Sequence, residues 1–199
     1  MNIVTSKLRK RVIRAQLADW PRILPLRHRA TPTDSGLGSS RFSSPSGAFR
    51  VLYAADNFST AFSEAVVRDR FEGKARRFLY RPHLEQLCIT AISSSRALTL
   101  LDLRGAAAYE LGIDTDANRA RDHGSGQAFS EAVHRQMPDV DGILFNSRLT
   151  TGECIAIYDR AFSALSGTDP IELQQAASLP DELARLGIAV RRKRGYAKP

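Results

Sequence analysis

The amino-acid sequence predicts a single α+β domain in which small sheets are flanked by helices. The chain has 199 residues, 43% of them hydrophobic and 25% charged, which is ordinary for one globular domain with its own core. Short apolar runs typical of buried strands alternate with segments of helical periodicity. Neither an internal repeat nor a linker-like segment divides the sequence, so we predict one domain over residues 1–199.

The N-terminal quarter predicts a helix and then a long loop. Residues 5–18 are basic, and Val12, Ile13 and Leu17 would form the apolar side of a helix. Residues 25–47 are rich in Pro, Gly and Ser, which indicates a loop. A loop of this length in a compact domain is usually functional or disordered.

The middle of the chain predicts a strand, a helix and two further strands. Residues 49–55 form an apolar run typical of a buried strand. The apolar residues after it have the i, i+3, i+4, i+7, i+8 spacing of a helix: Phe58, Ala61, Phe62, Ala65 and Val66. Strands are predicted over 87–92 and 98–103, and a short helix over 105–111.

The second half predicts a polar stretch over 114–126 and a helix over 127–136. Two strands follow over 142–145 and 154–158, with turn-forming residues between them. A final helix and strand occupy residues 181–190.

The net charge of +8 and the pI near 10.0 limit the kind of partner. A positive potential attracts nucleic acid, an acidic protein or a phosphate-bearing substrate. The terminal cluster at 191–194 has no interleaved aromatic residues of the kind that stack on bases, so we interpret it as a solvated basic tail.

The lack of recognisable targeting signals in the sequence and the placement of its two cysteines predict a cytoplasmic protein. No apolar run approaches the ~20 residues that span a bilayer, and the basic N-terminus lacks the apolar region of a secretory signal. Cys88 and Cys154 lie in strand-like apolar runs without the spacing of a disulfide framework, which predicts buried thiols in a reducing compartment.

Three residues with different chemistry come from neighbouring elements: Arg41 from the long loop, Tyr53 from the strand and Glu64 from the helix. A guanidinium matches phosphate oxygens two at a time, and Glu64 lies off the apolar stripe. Together they suit a small anionic ligand with a flat ring and a bond broken through a cationic transition state, such as NAD. Each also has an ordinary interpretation, which for Glu64 is an i, i+4 pair with Arg68.

Two more residues extend this set. Arg22 is a second cation before the loop, and Ser147 lies in the turn between two strands. The four histidines lack metal-ligand spacing, and the chain contains neither a Walker A motif nor GxGxxG, so we predict no metal site and no nucleotide cofactor site of those kinds.

Taken in order, these segments resemble the RES domain family, which is named for an arginine, a glutamate and a serine. The segments that carry the resemblance are Arg22-Ile23-Leu24-Pro25, residues 40–45 (SRFSSP), residues 51–55 (VLYAA), residues 61–64 (AFSE) and residues 141–149 (DGILFNSRL). They place a RES-like core at about residues 20–165.

The resemblance implies the fold of the ADP-ribosyltransferase toxins and the role of toxin in a bacterial type II toxin–antitoxin pair. It implies NAD+ as the substrate, with no further cofactor, and cleavage by hydrolysis, by phosphorolysis or by transfer of ADP-ribose to a protein. The implied partner is an antitoxin with an Xre-like helix-turn-helix domain, through which DNA is contacted only indirectly.

The resemblance also assigns site residues. The catalytic candidates are Glu64, Arg41, Tyr53 and Ser147. The substrate-binding candidates are Arg22, Arg41, Tyr53, Ser147, Ser125 and Gln127, with Arg27 as an alternative to Arg22. We expect the arginines to grip the pyrophosphate, Tyr53 to stack on nicotinamide, Ser147 to hydrogen-bond the nicotinamide ribose or carboxamide, and Glu64 to stabilise the cationic ribose.

Other classes of function stay open at this point. The basic charge suits a nucleic-acid-binding protein or a ribonuclease, and the fold also suits a partner-binding module without turnover. The acceptor of ADP-ribose is open as well. No second acidic residue adjoins Glu64, since its neighbours are Ser63 and Ala65, and this favours water or phosphate over a protein side chain.

Overall fold

A computed structural model describes residues 4–68, 70–71, 74–105 and 123–192. The helices in these residues are α1 (Thr5–Arg9), α2 (Phe58–Phe62), α3 (Arg81–Glu85), α4 (Gly124–Gln136) and α5 (Leu179–Arg185). The strands are β1 (Val12–Ala15), β2 (Trp20–Pro25), β3 (Val51–Ala55), β4 (Phe78–Tyr80), β5 (Leu87–Ser94), β6 (Leu98–Asp102), β7 (Gly142–Asn146), β8 (Glu153–Tyr158), β9 (Leu165–Gly167), β10 (Ile171–Glu172) and β11 (Ala189–Arg191).

The described strands form three sheets. The largest has the order β1-β6-β7-β8-β3 and is antiparallel except for the parallel pair β6–β7. A second sheet has the order β10-β5-β2, and β9 also pairs with β5. The third is the parallel pair β4–β11. This mixed α+β architecture confirms the predicted fold class.

The core lies on both faces of the five-stranded sheet. Along β8, Cys154, Ala156 and Tyr158 belong to one apolar cluster, while Ile155 and Ile157 belong to another on the opposite face. This alternation follows from the two-residue period of a strand. Because both faces are covered, β7 and β8 have continuous apolar sequences, which is why the sequence predicted them correctly.

The predicted helix over residues 5–18 is wrong beyond Arg9. Residues Val12–Ala15 form β1 and pair antiparallel with β6. Val12 packs on one apolar cluster and Ile13 on the other, as alternate residues of a strand do. β-Branched side chains fit this half-buried pleated surface better than a helix, so tertiary packing decides the conformation.

The sequence patterns did not predict β2, since they assigned no element to residues 20–24 and placed Pro25 in the loop. The strand runs antiparallel to β5 from Trp20↔Ile92 to Pro25↔Leu87. Proline is tolerated there because β2 is the last strand of its sheet and does not need a second ladder of hydrogen bonds. The loop predicted to follow it is confirmed, with one 3-10 turn at Leu26–His28.

Most other elements confirm the sequence predictions. The strands at 51–55, 87–94, 98–102, 142–146 and 153–158 and helix α4 are all present. Both cysteines are buried and free, as predicted. The short helix predicted at 105–111 and most of the polar stretch at 114–126 lie outside the described residues. Among the helices that the structure describes, none has the length and apolarity needed to cross a membrane.

Helix α2 continues into a wider π-helical turn over Ser63–Val67. Asn57 caps the start of the helix, because its side chain accepts a hydrogen bond of 2.8 Å from Thr60 N. At the other end, Arg68 N donates to Ser63 O at 2.8 Å, a bond between residues five apart. Such turns are frequent at functional sites. Glu64 lies in this one, so the widened turn sets the direction of its side chain.

Candidate functional site

A cleft with a cavity volume of about 190 Å³ opens beside β3 and the π-helical turn. The lining residues with polar or charged side chains are Arg22, Ser40, Arg41, Tyr53, Glu64, Arg68 and Cys154. The fold therefore brings together four of the residues selected from the sequence. Ser147 reaches the same place by contacting Glu64.

The Glu64 carboxylate is held at both oxygens. Ser147 Oγ donates to Oε1 at 2.6 Å, and Arg68 Nη1 donates to Oε2 at 3.4 Å. The Glu64 side chain is 20% exposed, so it still faces the cleft. A hydroxyl-to-carboxylate bond of this length belongs to the strong, charge-assisted class. The arrangement fixes the direction of one carboxylate at the cleft wall.

The Ser147 hydroxyl is fully engaged. It accepts from Leu149 N at 3.1 Å and from Thr150 N at 3.2 Å while it donates to Glu64. A serine hydroxyl has one donor and two acceptor sites, so these three bonds use its capacity. We expected Ser147 to donate to a ligand, but in this structure its hydrogen goes to Glu64.

The turn that carries Ser147 packs directly on the helix that leads to Glu64. Thr60 Oγ1 and Thr150 Oγ1 are 3.0 Å apart, and Gly152 N donates to Thr150 Oγ1 at 3.1 Å. A Cβ on Gly152 would overlap Thr60 Oγ1. Glycine is therefore required for the close approach that places Ser147 beside Glu64.

Arg41 is 4% exposed and lies among aromatic rings. Its guanidinium carbon is 6.0 Å from the Phe42 ring centroid and 5.8 Å from that of Phe145. The pKa of Arg41 is lowered to about 10, first by burial and then by the positive charges of Arg148 and Arg68, against the opposing effect of Glu64. The cleft thus holds a costly concentration of positive charge.

Tyr53 anchors the loop that carries Arg41. Its hydroxyl accepts from Phe42 N at 2.9 Å, and burial raises the pKa of Tyr53 to about 12. Helix α4 holds the same loop, because Gln127 Nε2 donates to Ser39 O and to Ser40 O, each at 3.2 Å. Gln127 therefore acts on the loop backbone in this structure, and Ser125 is exposed.

Arg22, and not Arg27, is the first cleft arginine. Burial lowers the pKa of Arg22 to about 10. Its Nη2 donates to Asp34 O at 2.9 Å, while its buried Nε has no hydrogen-bond partner among the described residues. Arg27 is exposed, bonds to His28 through Nε at 3.1 Å, and is not part of the cleft lining.

Three site residues were not selected from the sequence: Arg68, His123 and Arg148. Arg68 Nη2 lies 3.1 Å from His123 Nε2, and His123 Nδ1 lies 2.9 Å from Ser39 O. These bonds link the π-helical turn to the loop that carries Arg41. The i, i+4 spacing did indicate the Arg68–Glu64 pair, but the sequence gives no signal that His123 joins them.

The described residues offer no group of three or more His, Cys, Asp or Glu side chains that could hold a metal ion. In chemical terms the described cleft combines one oriented carboxylate, buried guanidinium groups and an aromatic wall. This combination suits an anionic ligand whose reaction develops positive charge next to the carboxylate.

Comparisons with known proteins identify one family, one related sequence and one similar fold. The family model described as the RES domain matches residues 11–179. A probable toxin of Sinorhizobium fredii, y4kH, is 32% identical over 83 residues, which are 42% of this chain and 65% of that relative, slightly under two thirds of its length. In the crystal structure of the M. tuberculosis MbcT-MbcA toxin-antitoxin complex, one chain has a similar fold, with a TM-score of 0.65 and 19% identity over 84% of this chain and 90% of that one.

Proposed function

This chain belongs to the RES domain family, and from that premise we propose that it is a toxin that cleaves the nicotinamide N-glycosidic bond of NAD+. One observation carries the proposal. Glu64, held by Ser147 at 2.6 Å, shares a cleft with Tyr53 and two cations, the half-buried Arg22 and the buried Arg41. The probable-toxin name of the S. fredii relative supports the toxin part of the proposal.

Binding rests on charge and on shape. The NAD+ pyrophosphate carries two negative charges, which would offset the positive charges of Arg22 and Arg41 that burial now destabilises. The cavity of about 190 Å³ is smaller than the ~300–1,000 Å³ of typical ligand pockets. It would take the nicotinamide riboside part, with Tyr53 beside the ring, and the adenosine part would lie outside it.

The chemistry needs one carboxylate. When the bond between ribose C1 and nicotinamide N1 breaks, both bonding electrons go to the nicotinamide nitrogen, which leaves as a neutral molecule. Positive charge then develops on the ribose, as in glycoside hydrolysis. Glu64 would stabilise that charge, and Ser147 would act as a positioning residue that fixes Glu64. A neutral leaving group needs no general acid.

The acceptor completes the reaction. Water would give ADP-ribose and a proton, and inorganic phosphate would give ADP-ribose 1-phosphate. Among the described residues that line the cleft, Glu64 is the only carboxylate. This favours water or phosphate over mono-ADP-ribosylation of a protein side chain, which would need a second group to activate it.

A toxin of this kind requires a neutralising partner. The similar fold in the MbcT-MbcA structure belongs to a toxin-antitoxin complex. We propose that this chain likewise pairs with an antitoxin, one with an Xre-like helix-turn-helix domain, and that it contacts DNA through that partner.

The decisive experiment measures NAD+ in the presence of the purified protein, with and without phosphate, and separates the products by chromatography. Loss of NAD+ with release of nicotinamide supports the proposal, and the second product identifies the acceptor. Intact NAD+ with labelled protein in a lysate would support the ADP-ribosyltransferase alternative. Binding of NAD+ without loss would contradict the enzymatic proposal and leave a partner-binding module.

Gly126→Ala is expected to weaken NAD+ binding about tenfold. A Cβ at this position of α4 would lie 2.7 Å from Arg41 Cγ and 2.8 Å from Arg41 O, so the loop must move. Alanine favours a helix by about 1 kcal/mol relative to glycine, so the helix itself does not suffer. The measurement is KM for NAD+. Ala128→Gly, a change at a neighbouring half-buried position of α4, is the control, and a KM equal to wild type in Gly126→Ala would contradict the expectation.

Arg22→Met is expected to raise the free energy of unfolding of the ligand-free protein by on the order of 1 kcal/mol, because an apolar side chain replaces a half-buried charge whose buried Nε has no hydrogen-bond partner among the described residues. The same change should remove stabilisation by NAD+. The pKa of Arg22 is lowered on folding to about 10, so the penalty is fully present below that pH and declines progressively as the pH rises from about 10 towards the ordinary pKa of an arginine. Denaturant titrations at pH 7 and above pH 10 check this, and a gain that persists unchanged above pH 10 would contradict the electrostatic cause.

A further inference from the structure

The pair β4–β11 carries a row of aromatic and cationic side chains away from the cleft. Phe78 and Tyr80 are two residues apart on β4 and therefore share one face, with their ring centroids 5.4 Å apart. The guanidinium carbon of Arg191 lies 4.6 Å from the Phe78 ring centroid. The Tyr80 ring is 6.1 Å from that of His83, and Arg70 Nη1 lies 3.1 Å from His83 Nδ1. We call these five residues the cation–aromatic row.

The surroundings of the row are strongly basic. The described segments 70–71, 74–85 and 189–192 contain the cations Arg70, Lys74, Arg76, Arg77, Arg81, Arg191 and Arg192. Their one acidic residue, Glu85, is paired with Arg81 at 3.0 Å. The adjoining sequence adds two acidic residues, Asp69 and Glu72, and two basic ones, Lys193 and Arg194, so the excess of positive charge stands.

The row is also accessible. Tyr80 is 38% exposed, and Arg191 is exposed as well. None of the five residues lines the cleft. The proposed NAD+ chemistry therefore does not explain why two aromatic rings and a stacked guanidinium lie on a basic surface.

We propose that the cation–aromatic row binds single-stranded nucleic acid. Base–aromatic stacking contributes about 1–3 kcal/mol per base, and arginines that neutralise phosphates supply the salt-dependent part of the affinity. An acidic peptide would satisfy the guanidinium groups but has no flat ring to stack on Tyr80. A duplex would satisfy them too, but its base faces are covered.

This proposal revises an expectation from the sequence. The cluster at 191–194 was interpreted as a tail without aromatic residues. The fold pairs Arg191 with Tyr80 in the parallel β4–β11 ladder and so supplies the aromatic rings from a distant part of the chain. The proposal concerns a second surface and does not depend on the proposed NAD+ activity.

The test is fluorescence anisotropy of a labelled oligouridine of about 12 nucleotides, titrated with the full-length protein. Tyr80→Ala should weaken binding about tenfold, and Tyr80→Phe, which keeps the ring, should bind like wild type. Arg191→Ala should weaken binding and reduce the slope of log K against log salt by about 0.7. Arg14→Ala removes the same charge from an exposed position on β1 and is the matched control, expected to have the smaller effect.

Three results would overturn the proposal. The first is unchanged binding in Tyr80→Ala, and the second is equal losses in Arg191→Ala and Arg14→Ala, which would mean attraction by net charge alone. The third is equally tight binding of a duplex or of a polyglutamate peptide, and the latter would assign the surface to an acidic protein. The Tyr80→Ala protein should consume NAD+ at the wild-type rate, because Tyr80 does not line the cleft. The nucleic-acid-binding proposal and the NAD+ proposal can therefore fail independently of each other.

Discussion

Glu64→Gln is expected to lower the rate of NAD+ consumption by a factor on the order of 10² or more, with little change in the affinity for NAD+. Glutamine keeps the size of the side chain and an oxygen that can accept from Ser147, whose Oγ now lies 2.6 Å from Oε1. Glutamine lacks the negative charge of Glu64, which would stabilise the positive charge that develops on the ribose. Removing one preorganised electrostatic contact of this kind typically costs 10²–10³ in rate.

The measurement is kcat and KM for NAD+, with nicotinamide release as the readout. Glu85→Gln removes the same charge at an exposed position far from the cleft lining and should behave as wild type. A Glu64→Gln protein with the wild-type kcat would end the assignment of Glu64 as the catalytic carboxylate. A higher KM with unchanged kcat would instead make it a binding residue.

Gly152→Ala is expected to destabilise the protein by about 2–3 kcal/mol and to remove most of the activity. The new Cβ would overlap Thr60 Oγ1 and lie 2.8 Å from Asp56 Oδ1 and 3.0 Å from Thr60 Cβ. Thr60 is fully buried, so it cannot turn away into solvent. The turn must therefore separate from α2, which breaks the alignment of Ser147 with Glu64. Overpacking of a close-packed site typically costs about 1–3 kcal/mol.

A double-mutant cycle tests this cause. Thr60→Ala removes the hydroxyl that would overlap the Cβ introduced by Gly152→Ala. It also removes the 3.0 Å contact between Thr60 Oγ1 and Thr150 Oγ1. If the steric account is correct, Gly152→Ala costs less in the Thr60→Ala background than in wild type. If Gly152→Ala lowers the free energy of unfolding by the same amount in both backgrounds, its effect does not come from overlap with Thr60. It would then arise elsewhere, for example in the backbone of the turn.

The candidate site was partly predictable, because some of its residues stand next to clear secondary-structure signals. Tyr53 lies in an apolar strand, and Glu64 lies off the stripe of the helix that follows, so their common cleft could be inferred from chain order. Arg41 lies in a loop without periodicity. It was selected for its anion-binding guanidinium and its place in chain order, and its burial at 4% exposure came only from the structure.

The roles of several site residues depend on contacts that no local pattern predicts. Ser147 is 83 positions from Glu64, and His123 is 55 positions from Arg68. The first pair meets because β7 pairs with β8 and β8 with β3, which sets the turn after β7 beside the helix after β3. The second meets because His123 lies at the start of α4, which holds the loop that carries Arg41. The choice of Arg22 over Arg27 likewise follows from the pairing of β2 with β5.

The sequence by itself determined the fold class, the central strands, helix α4 and the residue types of the site, because periodicity and turn chemistry are local properties of the chain. Tertiary structure alone decided that residues 12–15 form a strand, that α2 widens into a π-helical turn at Glu64, and that Ser147 donates to that carboxylate. It also placed Arg191 on Phe78. The physical reason is the same in each case, since strand register and close packing bring distant residues together and override weak local preferences.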